Sequence, residues 1–449
     1  MDPLIRRHLT ALQLCFAIPG LALATWVTRT PDVRDRLGAS TAEMGLVLFG
    51  MSIGSMLGIL AAGALVARFS TRPVIVTCMT LVLASVGAMA LGAAMASALV
   101  VAFGLLLFGA GMGLSEVASN VDGSGVEQEL GRPALPAMHG CYSLGTVVGA
   151  GLGVAGASVG FPVPWHLAGV LLLAVALFAF ALPRLRPGIG RRPRTAGQGA
   201  AGTSATADAR ATTADAGATD AAGGVREQRL YLDPRLLLIG GVVLGMTLAE
   251  GAATDWLPLL MVDGHDMPAG LGSLVYAGFA AAMAAGRFAG GPVVARFGRP
   301  VVLGCGALLT AVGVSLVSFV DPPVAAGCAV LLWGLGTSLG FPLALSAAGE
   351  SGPDTAGRVA LTSRIGYVAL LAGPPALGFL GEHHGLRAAM VPVLLLMLVA
   401  AALSPAAASR PQPRRPATAA GRPSDVRRAL PAAPDQDSAG RSDSTHSQW

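Results

Sequence analysis

A carboxylate four residues before an amide, inside a long apolar stretch, is the pair in this sequence best suited to proton chemistry. Glu116 and Asn120 lie in the segment Gly-Met-Gly-Leu-Ser-Glu-Val-Ala-Ser-Asn of residues 111–120. A charge is costly inside a bilayer, so an intramembrane acid needs a reason. Burial favours the neutral carboxyl, so Glu116 could take up and release a proton. Asn120, one helical turn away on the same face, could hydrogen-bond this carboxyl or a substrate hydroxyl and is a candidate substrate contact. The alternative is a structural Glu116 capped by a neighbouring helix.

Two further acids, Glu250 and Asp255, lie in a second apolar stretch. They are five residues apart, which predicts that they do not share one helix face. Glu250 should lie near the middle of the bilayer and is the better candidate for a second proton-coupling or substrate-contacting group. Asp255 and Trp256 should lie nearer the outer end, as candidate substrate contacts. Trp256 and Trp26 could each stack on a substrate or anchor a helix at the membrane interface.

Three basic side chains within apolar stretches are candidates for a gate. Arg287 and Arg364 could each neutralise a carboxylate in one state of the gate and lose that partner in the other. The alternative for both is snorkelling toward the headgroups. His139 and Ser143 are four residues apart and share a face. His139 lies close to the boundary of its span, so it is either a solvated side chain or a gating group.

The elements that must position these residues are membrane-spanning helices. Of the 449 residues, 53% are hydrophobic and 12% are charged, and the mean hydropathy is +0.65. Such a composition is typical of a polytopic membrane protein, and a span needs about 20 apolar residues. Suitable windows lie at 9–28, 45–67, 74–96, 99–121, 138–159, 164–183, 236–261, 272–295, 301–320, 324–349, 359–381 and 387–408. The sequence therefore predicts an all-α membrane protein with twelve transmembrane helices.

One short segment occurs twice and divides these spans into two sets of six. Gly-Ala-Leu-Val-Ala-Arg-Phe-Ser-Thr-Arg-Pro at 63–73 returns as Gly-Pro-Val-Val-Ala-Arg-Phe-Gly-Arg-Pro at 291–300. A repeat of this kind predicts two pseudo-symmetric six-helix halves. The predicted divisions are a first half, a flexible cytoplasmic linker, a second half and a disordered cytoplasmic tail, at 1–183, 184–234, 235–408 and 409–449.

The placement of arginine predicts the orientation in the membrane. Most arginines outside the spans would fall on one side, together with both termini and the central linker. The other side would hold few: Arg29, Arg34, Arg36 and Arg387. Because short cytoplasmic loops carry an excess of basic residues, both termini and the linker should be cytoplasmic.

Several other kinds of function lack support in the sequence. None of the five cysteines forms a Cys-x-x-Cys pair or a Cys/His cluster, so buried thiols are expected rather than metal ligands. No segment resembles a phosphate-binding loop or a nucleophile with its base, which argues against an enzyme and a bound cofactor. The net charge of +5 lies mostly in loops and tails and does not indicate nucleic-acid binding.

Twelve spans in two halves, with a Gly-x-x-x-x-Arg loop after the second span of each half, resemble the major facilitator superfamily. The acid that usually precedes the loop arginine is replaced by Ala67 and Ala295, and Ser70 stands where glycine is usual. The basic loop residues remain as candidate gating groups: Arg68, Arg72, Arg296 and Arg299. The resemblance implies a secondary transporter with a small-molecule substrate, embedded in the lipid bilayer and compatible with a monomer. It also implies that spans five and eight meet, so that His139 near Arg287 would form a gate rather than a metal site.

A second resemblance is more specific. The 111–120 segment, and His-Gly-Cys-Tyr-Ser-Leu-Gly at 139–145, are similar to fucose-permease-like proton symporters. In that family the residue matching Glu116 is the proton site, and Tyr142 becomes a candidate substrate contact. The resemblance implies proton-coupled uptake of a small polar, sugar-like solute across a bacterial inner membrane. Proton-antiport efflux of a drug or metabolite is the alternative, followed by a non-transporting receptor or scaffold on the same fold.

Overall fold

A computed structural model describes residues 2–131, 134–187 and 230–408. Helices account for nearly all of these residues, and none of them forms a β-strand. Backbone groups cannot hydrogen-bond to water in lipid, and an α-helix satisfies them internally. The predicted linker, apart from its ends, and the predicted tail lie outside the described residues.

Six long helices form the first half of the described chain. They are α1 (Pro3–Leu37), α2 (Thr41–Phe69), α3 (Thr71–Ala94), α4 (Ala98–Leu130), α5 (Leu135–Ser158) and α6 (Val163–Ala181). The second half contains α7 (Pro234–His265), α8 (Ala269–Phe297), α9 (Arg299–Phe319), α10 (Pro323–Thr337), α11 (Gly340–Glu350), α12 (Thr355–His384), α13 (Leu386–Ala389) and α14 (Val391–Leu403). Short 3₁₀ turns follow α6 and α14, at Leu182–Arg184 and Ser404–Ala407.

These helices make twelve segments that are long and apolar enough to cross a bilayer, which confirms the predicted fold class for the described ranges. The tenth consists of α10 and α11, with a break at residues 338–339, and the twelfth of α13 and α14. Pro342 lies in the first turn of α11, where its missing N–H has no intrahelical partner to lose. By contrast, α12 continues as one helix through Pro374 and Pro375.

The repeated segment has the same structure in both halves. It closes α2 and α8, which are both 29 residues long, and turns the chain into α3 and α9. The turn residues are Ser70, with φ 74° and ψ 172°, and Gly298, with φ 77° and ψ 159°. This backbone region is populated almost entirely by glycine. The serine that departs from the family pattern therefore adopts the glycine conformation.

Close helix packing within each half depends on small residues. A Cβ added to Gly54 of α2 would collide with the carbonyl oxygen of Leu106 in α4, and one added to Gly109 would collide with that of Met51. Helices in lipid gain most from such close approach, because burial of apolar surface drives their association little. These contacts hold α2 and α4 together as one wall of the central cleft.

The two halves meet on only part of their facing surfaces. We call the membrane face that carries the first residues of α1 and the last residues of α14 the terminal face, and the other the distal face. Polar contacts between the halves lie at the distal face or between it and the middle of the helices: Arg34–Asp263, Ala42–Glu382, Thr28–Ser273 and Ser52–Leu370. The facing side chains of Glu116 and His139, nearer the terminal face, are exposed. The cleft is thus closed at the distal face and open toward the terminal face.

Candidate functional site

A cavity of about 360 Å³ lies between the halves, near the middle of the bundle. Its walls come from α1, α2 and α4 of the first half and from α7, α11 and α12 of the second. Apolar side chains dominate: Leu23, Met51, Ile59, Phe108, Met112, Phe341, Tyr367 and Leu370. The polar side chains are Ser52, Ser55, Glu116, Thr247, Glu250, Thr254 and Asp255. An apolar cavity with a few polar groups is typical of a small-molecule site.

Helix α7 supplies two of the three carboxylates in this cavity. Glu250 and Asp255 both line it, although their spacing of five residues predicted that they would not share a face. Five residues rotate a helix by about 140°. Gly251 lies between them on the cavity wall and has no side chain to fill the space, so the cavity extends across both acids.

Glu116 begins a chain of polar contacts that runs from α4 to α5. The Asn120 amide nitrogen donates to the Glu116 carboxylate at 3.3 Å, as the shared helix face predicted. The Asn120 amide oxygen lies 3.1 Å from Nε2 of His139, whose ring packs edge-on against Phe16 with centroids 5.0 Å apart. Both ends of the Asn120 amide therefore have protein partners, and Asn120 is not among the residues that line the cavities.

A second cavity of about 290 Å³ adjoins the first at Met112 and Glu116. Tyr142, His139 and Arg287 line it, so the structure brings the predicted gating pair His139 and Arg287 to one space. Arg287 of α8 pairs with Glu250 of α7 at 3.0 Å and also donates to the backbone oxygen of Ser338 at 3.3 Å. Glu116 thus lies opposite an arginine that already has a carboxylate partner.

Asp255 differs from the other two carboxylates of the site. It is only 7% exposed, against a half-buried Glu250 and an exposed Glu116. Among the described residues it has no hydrogen-bond donor and no basic partner. An ionised carboxylate in such surroundings is costly unless it is paired or protonated. Asp255 is therefore a buried acid of this site whose negative charge, when it is ionised, is not balanced by a basic side chain of the described residues.

The two candidate tryptophans lie away from both cavities. Trp26 is buried in α1, and Trp256 is fully buried in α7, where its ring lies against Gly378 of α12. Neither is exposed at an end of its helix, where an interfacial anchor would lie, and neither lines a cavity in this conformation. Their substrate-binding roles stay predictions.

The candidate gating arginines of the loops lie at the terminal face. Arg68 and Arg296 are exposed and lie over the rings of Phe69 and Phe297, and Arg72 is half-buried. A two-pronged contact joins Arg299 to Glu350, with bonds of 2.5 and 2.7 Å.

Arg364 is exposed, 3.5 Å from the Tyr231 hydroxyl. Glu350 and Tyr231, which contact Arg299 and Arg364, both belong to the second half of the chain. Their gating roles, like those of Arg68, Arg72 and Arg296, remain predictions.

The contacts that close the distal face were not found from the sequence. Arg34 served only to predict orientation, yet its guanidinium pairs with Asp263 of α7 across the halves. The Glu382 carboxylate of α12 accepts from the backbone N–H of Ala42 at 3.2 Å. Asp263 and Glu382 lie close to helix ends, where charged residues are common. The sequence therefore contains no signal that distinguishes them from solvated residues. Within the described ranges, no group of His, Cys, Asp and Glu is arranged to hold a metal.

Comparison with known sequences identifies the family. The model of the Major Facilitator Superfamily matches residues 11–363. The chain is similar to an uncharacterised MFS-type transporter of Yersinia pestis, with 31% identity over 394 residues that cover 87% of this chain and 93% of the relative.

Solved structures share the fold. A bacterial homologue of the human lysosomal transporter Spinster, in an inward-facing and unoccupied conformation, aligns with a TM-score of 0.67 and 15% identity over 91% of this chain and 98% of its own. The fucose:proton symporter FucP of E. coli aligns with a TM-score of 0.56 and 16% identity over 90% and 98%. Such low identity shows the fold alone. The chain belongs to the Major Facilitator Superfamily and is a multi-pass membrane transporter.

Proposed function

We propose that the protein is a proton-coupled secondary transporter that moves a small organic solute through the central cleft by alternating access. The observation that carries the proposal is the position of Glu116, an acid exposed in a cleft that is closed at one membrane face and open at the other. Transporters of this architecture bind substrate near the midplane between their halves and rock about that site.

We place the terminal face in the cytoplasm of a bacterial cell, as the arginine distribution predicts. The conformation described above is then the inward-open state. Its counterpart would separate the contacts at the distal face and bring together the arginine-bearing loops at the terminal face. In that scheme Arg68, Arg72, Arg296, Arg299 and Arg364 act on the cytoplasmic gate.

Protonation of Glu116 would couple the proton to this movement. In the open cleft the carboxylate is exposed to surrounding water and accepts a hydrogen bond from Asn120. Closing the terminal face would remove that water, and a neutral carboxyl is cheaper to enclose than a charged one. A proton on Glu116 thus shifts the population toward the closed terminal face, because it binds the two states with different affinity.

Glu250 has a different role in this proposal from the proton site expected from its sequence position. The Glu250 carboxylate is paired with the Arg287 guanidinium at 3.0 Å, so we assign Glu250 to charge pairing in this state and assign the proton to Glu116. Arg287 lies at the second cavity, facing Glu116 and His139. We propose that Arg287 exchanges between the two glutamates as the terminal face opens and closes.

The polar groups of the site are compatible with two modes of transport, which differ in the class of solute and in the direction in which it moves. The Glu116–Asn120 pair favours uptake of a sugar-like solute by symport, as predicted from the sequence. The unpaired Asp255 favours the alternative, proton-antiport export of a compound that carries a positive charge. The direction of proton movement relative to solute separates these two modes.

The test uses purified full-length protein in liposomes with a pH-sensitive dye inside. L-fucose, D-xylose and benzyltrimethylammonium are added in turn, and both proton and solute movement are recorded. Glu116→Gln should lose proton movement driven by solute while solute exchange continues. Glu129→Gln, the same change on an exposed acid of the same helix, should match the wild type. Proton-coupled flux at the wild-type rate in Glu116→Gln would contradict the role of Glu116, and no flux of any solute would favour a receptor or scaffold.

A further inference from the structure

We propose that the central cavity binds a small organic cation with an apolar body, and that this cation and a proton occupy the Asp255 carboxylate in turn. The proposal rests on the proposed transport function and adds to it the chemical class of the solute and the residue that recognises it. Its basis is the combination of one buried, unpartnered acid with a cavity that is otherwise mostly apolar.

The first step concerns the charge on Asp255 itself. Its side chain reaches the cavity wall and is more than nine-tenths buried, with no donor or basic side chain as a partner among the described residues. Two states avoid an isolated buried charge: a protonated carboxyl, or a carboxylate with a cation in the cavity. No basic side chain of the described residues pairs with Asp255, so in the second state the cation must be a ligand.

The second step is the inventory of the other titratable groups around Asp255. Glu116 of α4 and Tyr367 of α12 line the same cavity. Tyr276 of α8 interacts electrostatically with Asp255. Glu250, on the same helix, is compensated by Arg287. Helices α1, α2 and α11 contribute no titratable side chain to the cavity wall. The cavity thus holds an excess of negative charge whenever Asp255 is ionised, which disfavours an anionic solute.

The third step separates a cation from a neutral polyol. A polyol needs several free hydrogen-bonding groups, yet the Ser52 hydroxyl donates to the Leu370 carbonyl at 2.7 Å and the Thr254 hydroxyl to the Glu250 carbonyl at 3.0 Å. Ser55 and Thr247 add two more hydroxyls, and the rest of the wall consists mainly of aromatic rings, Phe108, Phe341 and Tyr367, and aliphatic side chains. Aromatic faces attract organic cations, and the aliphatic wall fits their apolar groups.

The exchange conserves charge in the cavity. When the cation enters, the Asp255 carboxyl releases its proton to water through the open terminal face and the carboxylate pairs with the cation. When the cation leaves, a proton returns. One positive charge occupies the site in either state, so the same acid can carry a proton in one direction and a cation in the other.

The test is equilibrium binding of benzyltrimethylammonium to full-length protein in detergent between pH 5.5 and 8.5, measured by calorimetry. This quaternary cation keeps its charge at every pH, so any pH dependence belongs to the protein. Because protons compete for the site, we expect affinity to fall as the pH falls, by at most about tenfold per pH unit for one exchanged proton. Measurements in buffers with different ionisation enthalpies should detect the released proton.

The variants decide the role of Asp255. Asp255→Asn should lower affinity for the cation at least about tenfold, the weight of one paired charge, and abolish both proton release and the pH dependence. Asp266→Asn makes the same change at the exposed end of the same helix, outside the cavity and at a positive φ that asparagine tolerates, and should leave all three unchanged. Both variants must elute as the wild type does on gel filtration.

Three results would overturn the proposal: no cation binding by wild-type protein, equal binding by Asp255→Asn, or binding of L-fucose or D-xylose in place of the cation. Binding in detergent requires no gradient and no transport. Cation binding without flux in liposomes would therefore reject the proposed transport function and support the cation site at Asp255. Proton-coupled sugar flux without cation binding would support the transport function and reject the cation site.

Discussion

Arg34 of α1 and Asp263 of α7 form an ion pair that joins the two halves of the bundle at the distal face. The Arg34 side chain is half-buried, the Asp263 side chain is partly exposed, and Arg34 also pairs with the neighbouring Asp35. Because the pair joins α1 to α7, the proposed opening of this face would break it.

Breaking this pair should shift the protein toward the state that is open at the distal face. Arg34→Asp should raise labelling of a cavity cysteine, Ser55→Cys, by a membrane-impermeant thiol reagent applied from the distal side, with Cys15 and Cys141 replaced by alanine. One partly exposed pair contributes up to about 1 kcal/mol, so the increase should be up to about fivefold. The double variant Arg34→Asp with Asp263→Arg should return labelling toward the starting level. Equal labelling in single and double variants would contradict the pairing.

The contact between α2 and α12 offers a second way to open the distal face. A Cβ at Gly45 would lie 2.7 Å from the carbonyl oxygen of Pro374, which is backbone and cannot move aside cheaply. Gly45→Ala should therefore separate these helices, at a cost of about 1–3 kcal/mol in the closed state, and increase labelling of Ser55→Cys.

The matched control for that substitution is on the same helix. A Cβ at Gly63 of α2 would meet no atom within 4 Å, so Gly63→Ala should leave the labelling unchanged. If both substitutions increased labelling alike, the effect would come from helix propensity and not from the helix contact.

The turn between α2 and α3 predicts a gain in stability. Ser70 is held at φ 74° and ψ 172°, a conformation that costs a residue other than glycine about 1–3 kcal/mol. Ser70→Gly should relieve this cost and raise the midpoint of thermal unfolding in detergent. Gly298→Ser, at the equivalent turn of the second half, should lower it. A lower midpoint for Ser70→Gly would show that the serine side chain contributes more than its backbone costs.

The first turn of α7 predicts an acid-sensitive contact. Burial alone would raise the pKa of Asp233, but the hydrogen bond from Arg358, at 2.5 Å, and the backbone N–H groups of α7 outweigh it and hold this pKa below its usual value. A lowered pKa contributes stability that is present above the pKa of the unfolded chain, about 3.9, and is lost as the pH falls through the folded value.

We therefore expect Asp233→Asn to keep the helix cap but to lose about 1 kcal/mol at neutral pH, with a smaller loss at pH 3. Thermal melts between pH 3 and 7 measure this difference. Equal destabilisation at both ends of that range would mean that the charge of Asp233 does not matter.

Much of the architecture follows from local properties of the chain. Apolar windows of span length gave twelve crossings, because a helix in lipid must be both long and apolar, whatever it packs against. The positions at which a transmembrane helix is interrupted were less predictable from the sequence. Proline interrupts the hydrogen bonding of a helix, yet α12 runs through Pro374 and Pro375, whereas the tenth span breaks at residues 338–339.

The sequence by itself determined which residues had to be explained: charged groups such as Glu116, Glu250 and Arg287 stand out because a bilayer penalises them. Only the tertiary structure decided their partners. It paired Arg287 with Glu250, engaged Asn120 with His139, and left Asp255 buried without a partner. The physical reason is the distance along the sequence over which the interactions act. Helix periodicity is a property of neighbouring residues, whereas side-chain pairing, burial and the closed distal face depend on where helices distant in sequence meet.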